Sequence, residues 1–405
     1  MAGPLSHFRV LDLSRVMAGP WATQLLADLG ADVVKVERPG VGDDTRGWGP
    51  PFLKIGDREQ ADASGYFLCT NRAKRSLTVD LTNPKGQEVI RSLASRSDVV
   101  VENFKCGTLA RYGLGYEDLR KINPGLIYCS ITGFGQSGPR KDNVAYDFMI
   151  QAMGGLMSIT GEADDKPGGG PQKVGVPILD LMTGMYAAIA VLAALARRQV
   201  TGSGDYIDLA MLDVQAAMLA NQAMNYLMTG RTPKRTGNAH PNIMPQQVFR
   251  CLDGEFVLAV GNDGQYAKLR EVLKRPELDD ERFTRNAGRV QLRDELLALL
   301  AKVFLQWKRA DLLAALEKVG VPASPINTIP EALADPQLAH RGVLVDIPQP
   351  AVGQLRQVAN PMHFSAAPIT YNRPPPGLGE HTSEILRELG LDAGEIESLR
   401  QDAVI

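Results

Sequence analysis

Phe8-Arg-Val-Leu-Asp-Leu13, Ser-Arg-Val-Met-Ala-Gly-Pro20, an apolar run closing at Leu29-Gly30, and Asp32-Val-Val-Lys-Val-Glu37 follow one another without interruption. The outer two runs are short and rich in apolar residues, so they read as strands. Pro20 suits the first turn of a helix, and Gly30 is a usual residue just past a helix end. Strand, helix and strand in so short a span make a βαβ unit, whose strands are parallel. The pattern repeats outward. Ser76–Asp80 reads as a strand, Asn83-Pro84 as the start of a helix reaching Ser95, and Asp98–Glu102 and Leu126–Ser130 as strands. The expected architecture is α/β: a Rossmann-like large domain with a parallel sheet and helices on both faces.

Farther along, Asp180 heads an apolar helical stretch that runs to Arg197-Arg198, and Thr201-Gly-Ser-Gly204 breaks it. A strand at Tyr206–Leu209 and a helix over 211–228 come next, then the polar, basic Thr229–Gly237. A smaller α/β domain is expected beyond, with a strand at 255–260 and helices near 264–274, 291–305 and 309–318. The chain thus divides into a large domain at 1–200, a linker strand and helix at 201–228, and a small domain at 229–325. A returning segment, 326–405, completes the large domain with a strand at Leu344–Ile347 and helices near 381–389 and 393–402.

A formal net charge of -2 over 405 residues argues against a nucleic-acid or membrane-surface binder, both of which need a basic excess. Four cysteines (Cys69, Cys106, Cys129, Cys251) and five histidines are scattered without metal-ligand spacing, so neither a metal centre nor a disulfide framework is expected. The first strand starts too early to leave room for a signal peptide. The apolar run Met185–Ala196 is shorter than the roughly 20 residues of a membrane span. The expected location is cytoplasmic.

The first βα turn carries only Gly19 of a GxGxxG fingerprint, so Glu37, placed like a ribose-binding acid, gives little support for a nicotinamide dinucleotide. Arg38 fits a phosphate contact or a solvated surface charge. Gly168-Gly-Gly170 lacks the GK[ST] ending of a phosphate loop. Gly261-Asn-Asp-Gly264-Gln265 follows a strand and precedes a helix: it reads as a tight turn, and a mobile lid uses the same glycines. His240, in a polar loop with no visible partner, reads as structural. Asp180 has no Lys or Arg near it in sequence and admits two readings, a helix N-cap and a nucleophilic carboxylate in an apolar pocket.

Val10-Leu-Asp-Leu13 with Ala18-Gly-Pro20, Gly30-Ala-Asp-Val-Val-Lys-Val-Glu-Arg-Pro-Gly40 with Gly42-Asp43, Val101-Glu-Asn-Phe104, Ile131-Thr-Gly-Phe-Gly-Gln-Ser-Gly-Pro139 and Gly379-Glu-His-Thr382 resemble, over nearly the whole chain, the class III CoA-transferases of the CaiB–BaiF type. The resemblance implies an interlocked homodimer with no metal and no permanently bound cofactor, coenzyme A entering as part of the substrate. The partners would be an acyl-CoA and a carboxylic acid. Asp180 falls on the family's nucleophile, which forms acyl anhydrides and an aspartyl-CoA thioester. Tyr146, Asp147, Gly261, Gly264 and Gln265 fall on other catalytic positions. Val16, Arg38, Thr70, Asn71, Lys74, Asn103, Phe104 and Arg111 fall on CoA-binding positions.

Two departures stand out. Val144 replaces a lysine and Met17 a glutamine of the formyl-CoA branch, with Arg140 or Lys141 as candidate substitutes for that lysine. The family's racemase branch, which needs an acid–base pair, has histidine where Tyr146 stands, and a tyrosine with an ordinary pKa of about 10 is a poor base. A non-catalytic CoA-binding module would leave Asp180 unexplained. The segments Arg46–Pro51 and Lys234–Pro245 look most like members acting on dicarboxylates such as succinate, glutarate and hydroxymethylglutarate. Arg46, Lys234, Arg235 and His240 are then candidates for meeting the second carboxylate.

Overall fold

The computed structural model describes residues 3–56 and 58–405. Six strands, β1 Arg9–Asp12, β2 Asp32–Glu37, β3 Lys74–Thr78, β4 Val99–Glu102, β5 Ile127–Thr132 and β6 Asp205–Ala210, form one sheet in the order β3-β2-β1-β4-β5-β6. Every pairing in it is parallel. Val10 of β1 registers with Val33 on one side and Val99 on the other, and all three are buried. Apolar side chains on both faces are what a parallel sheet covered twice requires. The chain builds outward from β1 to one edge and returns at β4 to build the other. The order therefore reverses between β1 and β4, and in such sheets ligands bind in the crevice at the carboxyl ends of those strands.

The helices of this sheet are α1 Ala18–Asp28, α2 Pro84–Ser95, α3 Tyr116–Ile122, α4 Asp147–Met153, α5 Ile178–Thr201 and α6 Met211–Met218. Asn83 caps α2 by accepting the Lys85 amide at 2.9 Å. Helix α5 spans 24 residues and is long and apolar enough to cross a membrane by composition alone, farther than the apolar run suggested. One side of it, with Ala187, Val191, Ala194 and Leu195, packs instead into the sheet's core beside Ala18, Ala22 and Leu26 of α1. Gly184 permits the close crossing: a Cβ there would lie 2.6 Å from the Ala18 carbonyl oxygen and 2.9 Å from the Trp21 ring.

The chain forms two compact units, residues 1–156, 174–224 and 336–405 in one, and 157–173 and 225–335 in the other. The smaller unit thus extends beyond the expected 229–325, taking 225–228 from the expected linker and 157–173 and 326–335 from the expected large domain. Its sheet is antiparallel, β7 Gln246–Cys251, β8 Gly254–Ala259 and β9 Ala323–Pro325, with β8 central. Phe249, Phe256 and Phe304 pack edge to face within its core. The helix expected over 211–228 is two helices, α6 and Ala220–Thr229, broken where Ala220 takes φ 41°. Two antiparallel hairpins, Phe52–Ile55 with Arg58–Ser64 and Leu344–Gln349 with Gly353–Val358, complete the larger unit's strands.

Candidate active site

The larger unit carries a cavity of ≈ 630 Å³ at the reversal point. Its walls are the turn after β1 (Arg15, Val16, Met17), the turn after β4 (Asn103 to Cys106), the segment 143–146 with Lys141, and Asp180. The first two walls are tied together. The Arg15 amide donates to Asn103 Oδ1 at 2.9 Å, and Asn103 Nδ2 donates to the Arg15 carbonyl at 2.7 Å. Val16 stands at φ 71°, a conformation that costs a β-branched residue roughly 1–3 kcal/mol. Its amide donates to both oxygens of Asp43 at 3.2 Å. Asp43 in turn accepts from Lys35 Nζ at 2.8 Å and from the amide and hydroxyl of Thr45.

Asp180 is the third residue of α5, and the N-cap position belongs to Pro177, which offers no side-chain cap. The N-cap reading is thereby set aside. A helix start still leaves amides to satisfy, and α4 supplies a partner: the Leu179 amide donates to Asp147 Oδ1 at 2.7 Å. Gln151 Nε2 donates to the other Asp147 oxygen at 2.6 Å. Asp147 thus holds the turn that carries Asp180. Among the described residues no cation pairs with the Asp180 carboxylate and no hydrogen bond reaches it. Burial, with the nearby Asp147 charge added, pushes its carboxyl up to about 7. Desolvation penalises the ionised form, and a like charge reinforces the penalty.

Of the expected CoA-binding set, Val16, Asn103 and Phe104 meet at this cavity. Arg38 lines a smaller adjoining cleft with Arg15 and Phe104, and pairs with Asp44 at 3.2 Å. Arg111 lies exposed on the turn Ala110–Tyr112. Thr70, Asn71 and Lys74 are fully buried. Lys74 Nζ donates to Asp12 and the Pro20 carbonyl at 3.0 Å and to Asn71 Oδ1 at 2.9 Å. Placed so, the ammonium offers nothing to a phosphate; it anchors β3 to β1 and to the start of α1. Burial is the largest influence on it and pulls it down to about 8, against the opposing pull of Asp12.

The residues expected to meet a second carboxylate also need correction. Arg46 is buried and holds Glu37 with a fork, Nε and Nη2 each at 2.7 Å from a carboxylate oxygen. It also stacks over Phe67, so Glu37 serves this pair rather than a ribose. Arg235 is bound to Asp164 and to the Ser158 carbonyl within the smaller unit. His240 Nδ1 accepts the Asn242 and Ile243 amides at 3.1 Å, the structural role expected of it. In Gly261–Gln265, Asn262 accepts the Gln265 amide at 2.9 Å and Gln265 Oε1 accepts the Gly261 amide at 2.7 Å. That is a tightly bonded helix start.

Tyr146 borders the cavity and is 58% exposed. Sequence reasoning missed Arg15 and Lys105 as cavity cations. Both follow strand ends flanking the order reversal, a signal that only the assembled strand order exposes. It also missed Glu102, whose buried carboxyl accepts from the Ser130 hydroxyl and from the Phe104 amide at 2.8 Å, and which burial pushes up to about 7. Glu102 lines a second cavity of ≈ 290 Å³ walled by Tyr116, Tyr128 and Tyr206.

The sequence matches the profile of CoA-transferase family III over residues 5–382. It is 51% identical to succinate–glutarate CoA-transferase of Agrobacterium fabrum, over 95% of this chain and 96% of that one. Human succinyl-CoA:glutarate CoA-transferase is 43% identical over 95% of this chain and 86% of its own. Among solved structures, a CaiB/BaiF family protein from Brucella suis superposes with a TM-score of 0.84 at 50% identity, covering 96% of this chain and all of that one. The cavity at the strand reversal, with its unpaired aspartate, thus sits in an enzyme of known lineage: the chain belongs to the family III CoA-transferases.

Proposed function

We propose that this CoA-transferase moves CoA between dicarboxylic acids through covalent intermediates on Asp180. The observation that carries the mechanism is a carboxylate facing a cavity with neither cation nor hydrogen bond to satisfy it. Such a group keeps its nucleophilicity, and raised basicity adds to it.

An Asp180 oxygen attacks the thioester carbonyl and expels CoA thiolate, leaving an aspartyl–acyl anhydride. The thiolate attacks the Asp180 carbonyl, releases the donor's carboxylate and forms an aspartyl-CoA thioester. The acceptor carboxylate attacks that thioester, giving a second anhydride and thiolate again. The thiolate then takes the acceptor's acyl carbon and frees Asp180. No step consumes a net proton, and each retains the acyl activation so long as water stays out.

The substrate assignment follows from relatives named for succinate and glutarate: succinyl-CoA or glutaryl-CoA as donor and a C4–C6 dicarboxylic acid as acceptor. The racemase alternative needs an acid–base pair, and Tyr146 stands where that branch has its histidine; Asp147 is engaged with the Leu179 amide and Gln151. Coenzyme A is substrate, and no resident cofactor is proposed. The working form is an interlocked homodimer; the exposed Met224, Tyr226, Leu227 and Met228 on Ala220–Thr229, a helix with no buried residue, support such an interface, and the cytoplasm is the proposed location. Gly261–Gln265 is proposed to cover the thioester during turnover.

The test is a matrix of acyl-CoA donors against mono- and dicarboxylic acids, read by mass spectrometry of the CoA products, with hydroxylamine trapping of the labelled residue. Dicarboxylates should give the highest kcat/KM, and the hydroxamate should map to Asp180. Monocarboxylates outperforming every dicarboxylate would overturn the substrate assignment, and a label elsewhere the mechanism.

A further inference from the structure

A dicarboxylate brings a second negative charge into a cavity that already holds Asp180, with Asp147 just behind it. Unless a cation meets that charge, the cavity rejects the very substrates proposed above, since like charges brought together are costly. Of the residues first expected to meet it, Arg46 is spent on Glu37 and Arg235 on Asp164. The cavity's own cations are Arg15, Lys105 and Lys141.

Arg15 is committed at the cleft end: it pairs with Asp44 at 3.0 Å and lies 5.8 Å over Phe104. That end, with Arg38 beside it, suits the anionic part of CoA. Lys105 and Lys141 make no ion pair among the described residues. Both line the same cavity wall region with Cys106, Lys105 from the turn after β4 and Lys141 from the segment beyond β5. Lys141 sits on an exposed stretch, 138–144, outside any helix or strand, and its long flexible side chain can follow acyl chains of different length. The wall it belongs to runs directly into Asp147 and so into the support of Asp180.

We infer that Lys141, with Lys105 beside it, receives the distal carboxylate of the acyl group and of the acceptor acid, and so sets the preference for dicarboxylates. This rests on the dicarboxylate reading above. It makes Lys141 a specificity residue with no part in bond making.

The experiment compares glutarate with valerate, its single-charge counterpart, as acceptors from one donor, so that the donor's contribution cancels. Wild type, Lys141→Met, Lys105→Met and Lys141→Arg are assayed, and the Kd for free CoA is measured by calorimetry. Lys141→Met should lower the glutarate-to-valerate ratio of kcat/KM by about 10–100-fold, as expected for loss of a partly solvated charge partner. The loss should fall on KM for glutarate, Kd for CoA should move less than about twofold, and Lys141→Arg should restore much of the ratio. Lys105→Met should lower the ratio less. An unchanged ratio in Lys141→Met overturns the inference. A weakening of free CoA equal to the loss in kcat/KM does so too, because it makes Lys141 a phosphate contact. If wild type prefers no dicarboxylate, the substrate reading itself has failed, and the wild-type rows alone show it.

Discussion

Asp12, Glu37 and Asp43 are buried acids at or just beyond the ends of β1 and β2, whereas Asp180 is half-buried and lines the cavity. The first three are matched by Lys74, Arg46 and Lys35 at 2.7–3.0 Å. Those cations and hydrogen bonds hold their carboxyls below the ordinary range, although burial pushes the other way. Asp180 has no such partner, and burial prevails. Glu102 stands between the cases: hydrogen-bonded yet without a cation, it is also pushed up to about 7. A nearby cation, more than hydrogen bonding, therefore separates the carboxyls held low from the two pushed up. The paired acids tie strands and turns together, and the unpaired one is the proposed nucleophile.

Asp180→Asn breaks the contrast most sharply. Transfer should fall by at least about 10⁴-fold, the scale of removing a covalent nucleophile, with the circular dichroism spectrum retained. Measurable turnover in a rigorously purified variant would end the nucleophile assignment. Lys74→Met attacks the other side. Removing the ammonium leaves buried Asp12 with Ser14, Thr23 and the field of Lys35, and should cost roughly 2–4 kcal/mol of stability, seen as a lower urea midpoint, whereas Lys74→Met with Asp12→Leu should recover part of it. A single variant as stable as wild type would show that the pair does not hold the sheet.

A smaller effect follows from linkage. The Asp180 carboxyl is raised in the folded protein, so the native state binds the extra proton between the unfolded value near 4 and about 7. Stability from this group is present at low pH and lost as pH rises through that window. Asp180→Asn should therefore raise Tm by about 2–5 °C at pH 8 and leave it nearly unchanged at pH 4. Asp12 runs the opposite way, its contribution present above the unfolded value and lost in acid. Equal Tm differences at both pH values would refute the raised carboxyl. The smallest shift belongs to Asp147→Asn, which keeps an oxygen for the Leu179 amide and removes the charge. The acidic limb of kcat/KM should move down from about 7 by roughly half a unit; a limb that stays in place would leave burial as the whole cause.

The β1–α1–β2 unit was legible because its apolar runs, Pro20 and Gly30 all point the same way. The family motifs carried Asp180, Asn103 and Phe104 to the same cavity. Lys74 was not legible as a buried group. In a strand covered on both faces the alternation that marks a solvent side disappears, and its partner Asp12 lies 62 residues away. Residues 157–173 carry no periodic pattern at all. What assigns them to the smaller unit is tertiary: the Gly237 amide donates to the Gly161 carbonyl at 3.1 Å, and Arg235 reaches back to Asp164. Arg46 looked like an open cation because nothing local shows that Glu37 occupies it.

The two bonds between Asn103 and Arg15 carry a lesson for anyone wishing to redirect this catalyst. They staple one side of the crevice to the sheet, so substitutions there would loosen the scaffold before they altered taste. The opposite side, 141–146, is irregular and largely exposed, and mutational libraries confined to it can remodel the chamber at little cost to folding.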